Sequence, residues 1–240
     1  MKKILNIVKW MCVFSLFVVM VSFTEQQHKE QVFTMMNFNI NQSEDQFLSD
    51  ELILEFINQN DLNPLDNKTN EFGLNELENQ LLNHPSVKKA EVFSTVTGEV
   101  RVKITQRSPV MRIQYNNVNY YLDEDGYRMP LSMEFTKRVL VASGAVTALG
   151  DKTLFIIGKY IHEDAYLKAQ IVQIFVDDNN DIILIPRVGK HKIIFGDVQG
   201  MEKKFEKLLL FYNKAMPIKG WGKYACINLK YDKQVVCTKK

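Results

Sequence analysis

The sequence predicts an α+β protein in which a single N-terminal transmembrane helix precedes two folded domains. Three observations predict this class: an apolar run from Ile4 to Phe23, a β-α-α-β-β order of elements over residues 32–108, and a mostly β region over residues 109–240. The last region is expected to form a mixed, mostly antiparallel sheet with flanking helices. Residues 24–31 are polar and are expected to form a linker.

The apolar run is long enough to cross a bilayer. It contains 20 residues, of which Lys9 is the only charged one. At about 1.5 Å per residue, a helix of this length covers about 30 Å, the thickness of the hydrocarbon core. Lys2 and Lys3 precede it, whereas the first acidic residue is Glu25. This asymmetry predicts a short cytoplasmic stub and a membrane anchor over residues 1–23, with the rest of the chain outside the cytoplasm.

A cleaved signal peptide is the alternative for the same segment, because a basic start and an apolar stretch are typical of both. The segment Met20-Val21-Ser22-Phe23 lacks the small residues of a cleavage site. Lys9 suits the cytoplasmic headgroup region, and Trp10 suits the interface beside it. An uncleaved anchor is therefore favoured.

The charge balance excludes one class of partner. The chain has 30 basic and 28 acidic residues, and the three lysines of residues 1–23 leave 27 basic residues against 28 acidic ones in the exported part. No basic stripe with interleaved aromatic residues is present, so nucleic-acid binding is not expected. A hydrophobic content of 46% is ordinary for a globular protein with a buried core.

Two periodicities predict the first domain. Apolar residues alternate with polar ones in Val100–Thr105, as in a half-buried strand. Ser49 is a suitable N-cap for a helix, and Pro85 ends another because the residue before proline disfavours the α region. The expected elements are a strand Val32–Ile40, a helix with the face Leu52, Ile53, Phe56 and Ile57, a helix Leu74–Asn83, and strands over residues 87–96 and 99–105.

The second domain is predicted from short apolar stretches separated by turns, after a boundary at Pro109. Its clearest helix, Gln199–Met216, has apolar residues at helical spacing opposite a row of lysines, and Pro217 ends it. The other expected elements are strands Asn119–Leu122, Tyr127–Met129 and Arg138–Ala142, a helix Lys152–His162, and strands Gln170–Val176, Ile182–Pro186, Lys192–Phe195, Ala225–Lys230 and Gln234–Cys237.

The two cysteines near the C-terminus leave two interpretations open. A two-residue turn at Tyr231-Asp232 would place Cys226 opposite Cys237, so that a disulfide is possible in an oxidising compartment. A different register would separate them, and they would then be two small buried residues, which is the favoured interpretation.

The motifs of catalytic and metal sites are missing from the sequence. The four histidines show no metal-ligand spacing with one another or with cysteine, and no nucleophile, zinc-protease or phosphate-loop motif is present. Asp177, Asp178 and Asp181 lack the alternation and the closing glutamate of a calcium loop, so they are assigned to a hairpin turn. No catalytic, cofactor-binding or metal residue is expected.

The C-terminal strand is the remaining candidate site. An edge strand exposes unpaired N–H and C=O groups to which an extended segment can bind. Val235 and Val236 favour strand geometry, and Tyr231 is of a residue type that often anchors interfaces.

Three segments in this order resemble the FtsQ/DivIB family of bacterial cell-division proteins, in a form similar to those of Bacteroidetes. Residues 77–109, LENQLLNHPSVKKAEVFSTVTGEVRVKITQRSP, are similar to the second half of the family's POTRA domain. Tyr121-Leu122-Asp123, with Gly126 and Met129-Pro130-Leu131, resembles the segment that opens the family's β domain. The segment 227–231, INLKY, is similar to its closing strand.

The resemblance implies a non-enzymatic bitopic scaffold of the divisome at the septum. Such a protein is a single-pass, type II protein of the inner membrane with its bulk in the periplasm, and it has no cofactor or small-molecule substrate. Its POTRA domain recruits division proteins, and its β domain binds FtsB-like and FtsL-like proteins by strand addition. Transferred by motif, the partner-binding residues are Leu229, Lys230, Tyr231, Gln234, Val235, Val236 and Cys237.

Two other classes compete with this interpretation. One is an envelope enzyme or a peptidoglycan-binding module, and the other is a POTRA protein of outer-membrane assembly or secretion. The latter would require a C-terminal barrel or tandem POTRA repeats, for which 240 residues leave no room.

Overall fold

The computed structural model describes residues 9–20, 32–41, 46–65, 72–132 and 135–240. Residues 9–20 are helical, and the folded part of the chain divides into two units between Gln106 and Arg107. Among the described residues, no helix combines the length and the apolarity needed to cross a membrane. The ends of the expected anchor, residues 1–8 and 21–23, and the expected linker 24–31 lie outside the described residues.

From residue 32 onward, the described residues of the first unit form a three-stranded sheet with two helices. Its strands follow the order β1-β3-β2, with β1 parallel to β3 and β2 antiparallel to β3. The predicted β-α-α-β-β order is confirmed. The elements are β1 (Met35–Asn41), α1 (Asp50–Gln59), α2 (Leu74–Asn83), β2 (Val87–Ser94) and β3 (Glu99–Gln106).

Both helices of the first unit pack their apolar sides on the sheet. The Ser49 side chain accepts a hydrogen bond from the Leu52 amide at 3.3 Å and so caps α1, as predicted. The alternation of β3 buries one face of that strand and exposes the charged one. The core contains Ile53, Ile57, Leu77, Leu81, Val100, Val102 and Ile104, each at most 1% exposed.

The described residues of the second unit form a nine-stranded sheet with four helices. The strand order is β12-β11-β10-β9-β8-β7-β4-β5-β6, and five of its eight strand pairs are antiparallel. The predicted mixed, mostly antiparallel sheet is therefore confirmed. The strands are β4 (Pro109–Tyr115), β5 (Val118–Asp123), β6 (Arg128–Met129), β7 (Leu140–Gly144), β8 (Ile171–Val176), β9 (Ile182–Pro186), β10 (Lys192–Gly196), β11 (Tyr224–Asn228) and β12 (Val236–Lys239).

Four helices flank this sheet and share a core with it: α3 (Val146–Glu163), α4 (Ala165–Gln170), α5 (Met201–Lys214) and α6 (Met216–Lys219). Phe205 and Leu208 of α5 belong to the same buried cluster as Ile193 and Phe195 of β10 and Ile227 of β11. This packing holds the C-terminal half of the sheet against α5. It fixes the position of β11, the strand with which β12 pairs.

Candidate protein-binding edge

The terminal strand β12 lies at one edge of the nine-stranded sheet. It pairs with β11 in antiparallel register, with Val236 opposite Asn228, Cys237 opposite Ile227 and Thr238 opposite Cys226. Within the described part of the chain, no strand lies on the outer side of β12. The outer edge therefore presents main-chain groups that the sheet itself does not use.

The register indicates which main-chain groups point outward. The Lys240 amide donates to the Lys223 carbonyl at 3.1 Å, so the backbone of Lys240 faces β11. Because main-chain groups alternate along a strand, Thr238 and Val236 also face β11, whereas Cys237 and Lys239 turn their N–H and C=O groups away from it. These two residues supply the donors and acceptors that an added strand needs.

The side chains of β12 divide between a core face and an open face. Val235, just before the strand, and Cys237 within it are partly buried against the core of the second unit. Val236 is 42% exposed, and Gln234 and Thr238 are exposed as well. One face of the strand is thus anchored, while the other remains accessible.

Leu229 differs from the other predicted partner residues, because its side chain is fully buried. Its amide donates to the Ile194 carbonyl at 2.9 Å, which continues the pairing of β11 with β10 beyond Asn228. Leu229 therefore supports the edge from inside the domain, and its side chain is not part of the exposed surface.

Tyr231 and Lys230 lie in the connection between β11 and β12. The Tyr231 side chain is 49% exposed. The Lys230 ammonium lies 2.6 Å from Asp181 Oδ2 in the turn between β8 and β9, and this hydrogen bond raises the pKa of Lys230. Gly196 provides the space beneath Lys230, because a Cβ at this position would approach Lys230 Cγ to 2.9 Å.

A lysine of α5 fixes the same connection. Lys207 Nζ donates to the carbonyl oxygens of Leu229, at 3.0 Å, and Tyr231, at 2.6 Å. The helical periodicity places Lys207 only on the polar side of α5, so the sequence gives no signal for these contacts. Together, Lys207 and Lys230 hold the segment that connects β11 to β12.

The two cysteines of the edge are free thiols. Cys226 pairs with Thr238 and Cys237 pairs with Ile227, so the register is displaced by one residue from the one that a disulfide would need. Burial is the main cause that raises the pKa of each thiol. The structure thus agrees with the interpretation as small, partly buried residues.

The fold combines a β-α-α-β-β domain with a larger sheet whose last strand lies at an edge. The family model described as FtsQ/DivIB, C-terminal related matches residues 108–238, and a POTRA-like domain model matches residues 31–105. The first match covers more than half of the chain, so the chain belongs to the FtsQ/DivIB C-terminal-related family. No curated protein matches it. The resemblance inferred from the sequence is confirmed, and these domains support a division-related scaffold role.

Proposed function

We propose that this protein is a non-enzymatic, bitopic membrane scaffold of the bacterial divisome that binds a partner by strand addition at β12. One observation supports this function best. In a member of the FtsQ/DivIB-related family, β12 forms the sheet edge, with the main chain of Cys237 and Lys239 directed outward. An extended segment of an FtsB-like protein, or of its FtsL-like companion, is the proposed ligand.

Affinity and specificity have different sources in this mechanism. Main-chain hydrogen bonds to Cys237 and Lys239 supply affinity that does not depend on the partner's side chains. Specificity comes from the exposed side chains beside them. Val236 offers an apolar contact on the open face, and Tyr231 offers a large half-exposed ring at the entrance of the strand.

The edge is ordered before the partner arrives. Lys207 holds the carbonyls of Leu229 and Tyr231, and Lys230 pairs with Asp181. Binding to an ordered strand avoids much of the entropy cost that a free tail would incur. The contacts that fix the connection therefore contribute to affinity although they do not face the partner.

The anchor and the POTRA-like domain complete the proposal. Residues 1–23 span the inner membrane once, with the N-terminus in the cytoplasm and the folded units in the periplasm. The POTRA-like domain recruits further divisome proteins, so that the chain links early and late division proteins at the septum.

The test is depletion of the protein in its own host, followed by microscopy and by co-purification of the FtsB-like partner. We expect filamentous cells that a wild-type copy rescues, and the partner should co-purify with the full-length chain. Normal division with an altered cell-wall composition would contradict the proposal and would favour an envelope enzyme. A topology reporter at residue 240 is expected to be active in the periplasm, and activity in the cytoplasm would exclude the bitopic arrangement.

A further inference from the structure

A second surface of the sheet unit has the chemistry of a binding site. A cleft of about 120 Å³ opens where β7 and β8 begin and β9 ends. Its wall is apolar and is built from Val110, Leu140, Ile161, Ile171 and Val172. Its remaining lining is Lys137, Arg138, Val139, His162, Lys168 and Arg187.

Three of the cations that line this cleft have no acidic partner in the part of the chain that the structure describes. Arg138, Lys168 and Arg187 are exposed, and none of them forms an ion pair or a side-chain hydrogen bond within the described part of the chain. They come from three different elements, namely the segment before β7, helix α4 and the residue after β9. The fold therefore brings together like charges that are distant in sequence.

His162 lines the same cleft, close to two of its lysines. Burial lowers the pKa of His162, and the positive charges of Lys168 and Lys137 lower it further, whereas Glu124 and Glu163 oppose this. None of the described residues that line the cleft is acidic. An anionic group placed there would gain from several cations and would meet no carboxylate among the described lining residues.

The composition of the lining distinguishes between kinds of anion. Phosphate sites typically use main-chain N–H groups at glycine-rich loops or hydroxyl groups, and the cleft lining that the structure describes contains no glycine, serine or threonine. Its volume is well below the roughly 300–1,000 Å³ of sites for drug-sized ligands, and it suits a single side chain. An apolar wall beneath a rim of arginine and lysine fits an aliphatic side chain flanked by carboxylates.

We propose that this cleft, named here the basic cleft, binds an acidic peptide segment that inserts one apolar side chain. This goes beyond the proposed function, because the cleft is separate from the partner edge. Three strands lie between β8 and β12, which corresponds to about 19 Å at the usual strand spacing. A protein bound at the cleft therefore does not need to compete with one bound at the edge.

The test uses the full-length protein in detergent and a fluorescent peptide in which one leucine is flanked on each side by two glutamates. We expect binding that weakens as salt increases. The double variant Arg138→Gln/Arg187→Gln should weaken it about tenfold, the effect of losing two exposed charge pairs. The matched control is Lys203→Gln/Lys214→Gln, which removes two exposed charges from α5 and should leave binding within about twofold.

Three binding results would overturn the proposal, and a competition experiment provides a fourth. The first is unchanged affinity in the Arg138→Gln/Arg187→Gln variant, and the second is equal weakening in the α5 control. The third is equal binding of a peptide with glutamines in place of the glutamates. Lys168→Gln, a single change at an exposed position, provides a further test if the double variant is unstable. Displacement of the peptide by inorganic phosphate at constant ionic strength would assign the cleft to phosphate instead.

Discussion

The ammonium group of Lys207 lies 2.6 Å from the carbonyl oxygen of Tyr231 and 3.0 Å from that of Leu229. These contacts join α5 to the segment that enters β12. Because a lysine has three donors and each carbonyl has a free lone pair, one side chain satisfies two main-chain acceptors outside the regular strand. The position of the sheet edge thus depends on a residue that lies in a different element.

Lys207→Met keeps the aliphatic stem and removes the donor. We expect the free energy of unfolding to decrease by about 1 kcal/mol, the contribution of an accessible charge-assisted hydrogen bond. Amide exchange in β12 should become faster, and affinity for the FtsB-like partner should fall about threefold because the strand is less ordered. Lys203→Met, an exposed position on the same helix, is the control. Unchanged exchange in β12 of Lys207→Met would show that the contacts do not order the edge.

Tyr231→Ala removes the large exposed ring beside the edge. We expect a loss of about 2 kcal/mol of binding free energy to the FtsB-like partner, the scale of an interface hot spot. Stability should change little, because the ring is 49% exposed. Isothermal titration with the folded variant measures the effect, and Tyr166→Ala, which removes a tyrosine 42% exposed on α4, is the control. Wild-type affinity of Tyr231→Ala would exclude this residue from the interface.

A cluster of three aromatic side chains lies next to the start of β10. His191 is 2% exposed, its Nε2 lies 2.8 Å from the Tyr212 hydroxyl, and its ring stacks on that of Trp221 at a centroid distance of 6.4 Å. Burial lowers the pKa of His191, and the charge of Lys240 lowers it further. The histidine is therefore neutral in the folded unit near neutral pH.

This environment predicts a pH dependence of stability. A histidine in the unfolded chain takes up a proton at a pKa of about 6.5, above that of buried His191, so the unfolded state binds more protons in this range. The free energy of unfolding should consequently decrease as the pH falls below about 6.5. In His191→Gln this decrease should be smaller, and in Tyr212→Phe, which retains the histidine, it should persist.

The measurement can be confined to the sheet unit. Trp10 and Trp221 are the two tryptophans of the chain, so in a Trp10→Phe background the fluorescence reports on Trp221 alone. Denaturant unfolding at several values between about pH 7.5 and 5.5 would give, for each variant, the slope of the free energy of unfolding against pH. Identical slopes for the parent and His191→Gln would show that His191 does not cause the acid sensitivity.

Asp123 organises the turn that follows β5. It is 1% exposed, its Oδ2 accepts from Arg107 Nη1 at 2.7 Å, and its Oδ1 accepts from the amides of Asp125 and Tyr127. Asp123→Ala leaves a partly buried arginine and two amides without this acceptor, so we expect a loss of about 3 kcal/mol in stability. Denaturant unfolding checks the value. Asp178→Ala, in an exposed turn, is the control and should change the free energy of unfolding by no more than about 0.5 kcal/mol. An equally small change for Asp123→Ala would show that Asp123 does not organise the turn.

The elements that could be predicted from the sequence are those in which apolar residues recur with the period of a strand or a helix. Alternation in β3 and the helical spacing in α5 each place apolar residues on one face, and both faces are buried as expected. Strand β4 is absent from the predicted elements, because the sequence places a domain boundary at Pro109. Proline is tolerated as the first residue of a strand, where the ladder does not need its N–H, and β4 begins with it.

Tertiary contacts account for the part of the site that could not be predicted. The alternation Ile227-Asn228-Leu229 contains the signal that Leu229 points inward, since Ile227 and Leu229 share the core face. No local pattern connects Lys207 with Tyr231, or Lys230 with Asp181, because these pairs are 24 and 49 residues apart. The basic cleft likewise depends on strand order, which periodicity does not specify.

The most direct test of strand addition is the affinity of the FtsB-like partner for Cys237→Pro, compared with Cys237→Ala. Proline removes an outward N–H from β12 and leaves the hydrogen bonds to β11 in place, whereas alanine keeps that N–H. We predict that Cys237→Pro lowers the affinity at least roughly tenfold and that Cys237→Ala keeps an affinity near that of the wild type. Wild-type affinity of a folded Cys237→Pro would contradict it.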